Sequence, residues 1–153
     1  MMTVASTLSI WYAIGMTALG LMLVTAAWTD VKSRRIPNSI VLWGAGAALV
    51  WAHSPAGIGL SLSLLGGMVA FITFLVLHGW GWVGAGDVKL AGATGLYFSP
   101  SHALMLCLTI LIAGGVVALM WRFKFHVTRP VAVPYGVAIA LGTAWHVGRQ
   151  AVL

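Results

Sequence analysis

Residues 8–28, 57–77 and 102–121 form three stretches with no Asp, Glu, Lys or Arg. Each is long enough to carry a helix across the ~30 Å hydrocarbon core of a bilayer. The composition removes the soluble alternative. The chain is 61% hydrophobic and 7% charged, with a mean hydropathy of +1.02. A soluble domain carries about a quarter charged residues, so this chain cannot cover a globule with polar surface. The class is integral membrane protein, with one compact helical unit over 1–153.

Shorter apolar segments complete the pattern. The first stretch ends at Trp28 and gives way to a polar, basic loop over 29–38. Pro37 disfavours helix at Ile36, and Asn38 or Ser39 can cap a second helix over 40–53. His53-Ser54-Pro55 ends that helix. A third helix covers 57–77, followed by a Gly- and Trp-rich loop. A fourth begins near Asp87 and runs to about Phe98. At ~1.5 Å per residue it is some 18 Å long, too short to cross lipid alone, so neighbouring helices should shield it. A fifth helix covers 102–121, and a basic loop holds Arg122, Lys124 and Arg129. The sixth covers 131–148, with Pro134 in its first turn, where proline costs least.

The basic residues set an orientation. Lys32, Arg34, Arg35, Lys89, Arg122, Lys124 and Arg129 fall in alternate loops and Arg149 at the other end. The positive-inside rule makes the first side cytosolic. The expected fold is an all-α membrane protein, a polytopic bundle of six transmembrane helices with both termini outside. Residues 1–29 hold no Lys or Arg, so the positive start of a signal peptide is missing and a retained first helix is expected. Gly44, Gly46, Gly66, Gly67, Gly114 and Gly115 are expected where helices pack, as are Ala91 and Gly95, a small-xxx-small pair.

Only two acidic residues occur, Asp30 and Asp87, and both fall at the predicted cytosolic boundary. Two carboxyls a few ångströms apart cannot both ionise easily, so the pair holds a shared proton. One then activates a water as general base, and the other, protonated, polarises a carbonyl. Gly84 and Gly86 would let backbone lie close to an extended peptide. Plainer roles compete: Asp87 as a helix N-cap, and Asp30 as half of a surface pair with Arg34. Ionisable groups in membrane segments are usually functional, and the plain roles would have to hold at both sites.

The remaining motifs say less. The net charge of +6 is too dispersed for a nucleic-acid-binding stripe, so no nucleic acid is expected. Basic residues beside apolar runs suit topology and anionic lipid. Cys107 lies in an apolar run and reads as a buried small hydrophobe. No two histidines show metal-ligand spacing, so neither metal nor cofactor is expected; His78 is the best placed to assist the acids. The G-x-G-x-x-G over 79–84 lacks the strand and βαβ unit of a dinucleotide site. Trp80 and Trp82 suit the membrane interface.

The stretch Asp30-Val31-Lys32-Ser33-Arg34-Arg35-Ile36-Pro37-Asn38 resembles the first conserved block of the type IV prepilin peptidases. Gly84-Ala85-Gly86-Asp87-Val88-Lys89-Leu90 resembles their second, the GxGD block, and Pro134-Tyr135-Gly136 a late one. The resemblance implies a GxGD aspartic protease of the bacterial inner membrane, cutting at the cytosolic face. Its substrates would be prepilins with a basic leader and a hydrophobic helix. Asp30 and Asp87 match the catalytic aspartates. Lys89 matches the basic residue after the second, with two roles open to it: holding lipid headgroups or favouring ionisation of Asp87. Pro134 and Gly136 would loosen the start of the sixth helix near the site. The larger members' cytosolic insertion with paired cysteines is missing. The chain is similar to the compact, peptidase-only kind found with Flp or tight-adherence pili, without methyltransferase activity. The alternatives are a preflagellin-type or intramembrane GxGD protease, a proton- or ion-coupled membrane protein, and a structural pilus-assembly protein.

Overall fold

The computed structural model describes residues 4–125 and 134–152, with side chains over 4–120 and 134–150. It contains six helices: α1 (Val4–Ser33), α2 (Asn38–His53), α3 (Leu60–Gly79), α4 (Ala85–Gly95), α5 (Pro100–Phe125) and α6 (Tyr135–Val152). Three are long and apolar enough to cross a membrane: α1, α3, and α5 over Pro100–Met120.

Helix α1 runs past the expected loop start at 29 and carries Asp30 in its last turn. Lys32 and Ser33 oppose lipid, not helix, so the helix outlasts the apolar stretch. It stops where Arg34 turns left-handed (φ 53°), which closes the helix through Arg34 N–H to the Asp30 carbonyl at 2.9 Å. Pro37 then holds extended backbone (φ −61°, ψ 135°) immediately before α2. Neither Asn38 nor Ser39 caps α2, which starts at Asn38 with no side-chain cap. Helix α5 continues to Phe125, so Arg122 and Lys124 belong to it and not to a loop. Arg129, His126 and the expected 131–133 start of the sixth helix lie outside the described residues. Pro134 precedes α6 instead of sitting in its first turn.

Successive helices alternate in direction. The end of α1, the starts of α2, α4 and α6 and the end of α3 gather at one end of the bundle. At the other end, Phe98 and His102 meet His146 near the end of α6, with ring centroids 5.4 and 6.2 Å apart. The described chain ends therefore lie opposite the end that holds the acids.

Helix α4 spans 11 residues, about 16 Å, and is shielded as its length requires. Val88 and every residue from Leu90 to Gly95 are buried, against α3 above all and against α2, α5 and α6. Two hydrogen bonds fasten its far end: Ser63 Oγ–H to the Leu96 carbonyl at 2.6 Å, part-buried, and Tyr97 O–H to the Gly44 carbonyl at 3.0 Å, buried. Gly66 and Gly95 make the α3–α4 contact: a Cβ on Gly95 would stand 2.7 Å from the Gly66 carbonyl oxygen. Gly46 and Gly115, expected at helix contacts, face open space. The bundle's outside is apolar, with Val24, Leu42, Met68, Ile112 and Trp145 all exposed. Apolar side chains both inside and out are what a lipid solvent requires.

Candidate active site

Asp30 stands at the end of α1 with 8% of its surface exposed. Although Arg34 lines one pocket with it, Asp30 is therefore not a solvated surface carboxylate. Its Oδ2 accepts the N–H of Gly136 at 2.8 Å. Gly136 is the second residue of α6, where backbone N–H groups have no partner within the helix. The positive end of the helix dipole favours a carboxylate at that point. Approach is close: a Cβ on Gly136 would lie 3.0 Å from Oδ2 and 3.1 Å from the Asp30 Cβ. Pro134, buried just before, accepts the Val137 N–H through its carbonyl at 3.2 Å and starts the helix.

Asp87 is the third residue of α4 and not the cap itself. Gly84 holds the cap position, and its N–H donates to Asp87 Oδ2 at 2.9 Å. The side chain thus folds back over the helix start, the returning half of a capping box. Asp87 is also 8% exposed. Its pKa is pushed from 3.8 to about 6, chiefly by burial, with the Gly84 N–H opposing, the Asp30 charge adding and His78 opposing. His78, at the end of α3, donates from Nδ1 to the Val83 carbonyl at 2.8 Å and closes the Gly- and Trp-rich loop.

The two blocks meet in one pocket of about 350 Å³. Asp30, Arg34, Arg35, Ile36 and Asn38 line it from the α1–α2 junction, and Gly84–Asp87 and Lys89 from the start of α4. Gly84 is the more tightly placed of the two motif glycines, and a Cβ on Gly86 would make an ordinary contact. A Cβ on Gly84 would be 3.1 Å from the Asp87 carboxylate, and one on Gly86 would be 3.4 Å from Ile36. Lys89 Nζ donates to Asn38 Oδ1 at 3.1 Å and ties α4 to the first residue of α2. Both buried carboxyls line this one pocket, near enough for the Asp30 charge to disfavour ionisation of Asp87.

Five of the expected residues therefore line the pocket together: Asp30, Gly84, Gly86, Asp87 and Lys89. Gly136 holds Asp30 from behind, and Pro134 stands one step further back. Two contributors escaped the sequence reading. Asn38 looked like a cap and instead receives Lys89. Tyr135 packs edge-on against Phe74, with centroids 6.3 Å apart, close enough to Asp87 to feel its charge. Its signal was its place between Pro134 and Gly136.

Residues 17–119 match the type IV leader peptidase family. The chain belongs to that family. The matched span holds both aspartates and stops short of α6. A curated relative, the prepilin leader peptidase/N-methyltransferase of Xanthomonas campestris pv. campestris, is 25% identical over 138 residues. That alignment covers 86% of this chain and 48% of the relative, so the chain spans about half the relative's length. No solved structure matches.

Proposed function

We propose that the protein is a membrane-embedded aspartic endopeptidase that removes the leader from prepilins, of the Flp type, at the cytosolic face of the bacterial inner membrane. One observation carries the reading: the only two acids of the chain are both buried and line one pocket, inside the span that matches a leader peptidase family. Among the described residues, Lys32, Arg34, Arg35 and Lys89 lie at that end, and Arg122 and Lys124 stand near the end of α5, which supports its cytosolic placement.

Asp87, with its raised pKa, is the carboxyl suited to keep the proton. Asp30, oriented by the Gly136 amide, is suited to accept one. Asp30 takes a proton from water as the water oxygen attacks the scissile carbonyl carbon. Asp87 gives its proton to the carbonyl oxygen. When the tetrahedral intermediate collapses, the amide nitrogen takes up a proton from Asp30, the C–N bond breaks, and the carbonyl proton returns to Asp87. Gly84 and Gly86 keep the Asp87 loop low enough for peptide backbone to reach the pair, and Lys89 fixes that loop to α2.

The deciding experiment is leader cleavage of a co-expressed Flp-type prepilin in membranes. Wild type should cleave, and Asp30→Asn and Asp87→Asn should each lose at least ~10²-fold in rate at unchanged protein level, the scale of one lost acid or base. Near-normal cleavage by either variant would remove that aspartate from the chemistry and favour an ion-coupled or scaffolding protein.

The Gly136 contact gives a graded companion. Gly136→Val should slow cleavage by roughly tenfold or more, because an added side chain displaces the Asp30 carboxylate and ~1 Å of misplacement is costly. Gly136→Ala should fall between, because its Cβ meets Asp30 at the edge of tolerated contact. Equal rates for all three, measured in the same membranes, would mean that the α6 amide does not position Asp30.

A further inference from the structure

A second cavity adjoins the acid pocket. It is a groove of about 560 Å³ on the lipid side, with Val41 and Ala45 of α2 on one wall and Met68 and Phe71 of α3 on the other. Ala93 lies on its α4 floor, and Lys89 stands at its upper end. Lys89 also lines the acid pocket, so the two cavities share that side chain as a common wall. The groove exists because α4 is short and inserted: α2 and α3 both pack on it more than on each other. Met68 is 56% exposed and Phe71 40%, so the far wall is apolar surface without a partner in the fold.

We propose that this groove seats the apolar helix that follows the cut site in the substrate, placing its first two turns beside α4 while the scissile bond lies at Asp30 and Asp87. The inference rests on the leader-peptidase reading. The acid pocket, at about 350 Å³, is at the low end for ligand sites, so a polypeptide bound there must continue elsewhere. Toward α6 the pocket is closed by Gly136 on Asp30. Toward Arg34 and Arg35 it opens among charges, which suits a chain in water and not an apolar one. Along α4 the route is apolar. From Lys89 to Leu96, both on the groove, the drop is about 10 Å, two helical turns. An apolar helix laid there keeps its backbone bonds internal, as lipid demands, and delivers its first residues to the carboxyls.

The test uses the whole protein in membranes with a co-expressed Flp-type prepilin. Cysteines are placed singly at Ala45 and Met68 in an Asp87→Asn background, with one cysteine in the first two turns of the prepilin helix. A short bis-maleimide should join enzyme to prepilin from both positions and not from Ile112 on the lipid face of α5. In the active protein, Met68→Trp should cut prepilin cleavage at least tenfold, while Ile112→Trp, also at an exposed position, should change it less than twofold. No adduct from Ala45 and Met68, or equal adduct from Ile112, overturns the docking site. So does full activity in Met68→Trp; a lipid-filled groove would give that result. Wild type without any cleavage would instead sink the peptidase reading itself, and the groove with it.

Discussion

Asp87→Asn is expected to abolish cleavage and at the same time to stabilise the folded protein at neutral pH. The carboxyl is held where charge is costly: burial raises its pKa from 3.8 to about 6, and the Gly84 N–H and His78 offset this only in part. The sign follows from linkage. Between about pH 4 and pH 6 the folded protein binds more protons than the unfolded chain at this site, so stability falls as pH rises through that window. A rise of about two units corresponds to about 3 kcal/mol lost by pH 7, at ~1.4 kcal/mol per unit. Asparagine keeps an oxygen for the Gly84 N–H and carries no charge, so the variant should escape most of that loss. Thermal unfolding in detergent should place Asp87→Asn up to roughly 10 °C above wild type at pH 7.5, with the difference vanishing near pH 4. Asp30→Asn should narrow the window, because the Asp30 charge contributes to the Asp87 shift. If Asp87→Asn proves less stable than wild type at pH 7.5, the charged carboxylate serves as a structural cap.

That trade of stability for chemistry explains what could be read from the chain and what could not. Two acids in an apolar sequence whose other charges are eight basic residues advertise themselves, because lipid tolerates an ionisable group only where something holds it. The helices were legible from their apolar stretches, and the shielding of α4 from its length. The limits of hydropathy show at Asp30. The apolar stretch ends at Trp28, but α1 continues to Ser33, because backbone bonding does not require lipid-facing side chains. Arg34 and Pro37 stop it, by turning left-handed and by extending. The partner of Asp30 was hidden for a different reason. It is a backbone amide 106 residues away, and an amide leaves no letter in the sequence beyond the glycine that makes room for it. Packing direction was equally hidden: Gly66 and Gly46 look alike in a helix, yet one meets α4 and the other open space.

Gly66→Ala is expected to be among the most damaging single-methyl changes in the protein. The new Cβ would collide with the Phe98 carbonyl oxygen and stand 2.7 Å from the Gly95 carbonyl oxygen. Both are backbone atoms at the end of α4, where the chain turns into α5, so no rotamer change relieves the contact. Either α3 retreats from α4 or the turn after α4 is rebuilt. Overpacking typically costs about 1–3 kcal/mol, and backbone collision puts this site at the upper end. The same methyl at Gly20, which has nothing within 4 Å, should be neutral or stabilise by up to ~1 kcal/mol through helix propensity. Thermal midpoints of the two purified variants against wild type decide it. The damage should also reach the acids. Asp87 lies in the first turn of the helix whose far end Gly66 admits, and that helix has 11 residues with which to absorb a shift. A variant that retains folded protein should therefore cleave slowly, with Asp87 displaced from Asp30. If Gly66→Ala matches wild type in both midpoint and cleavage, the close α3–α4 approach is not what holds the second aspartate in place.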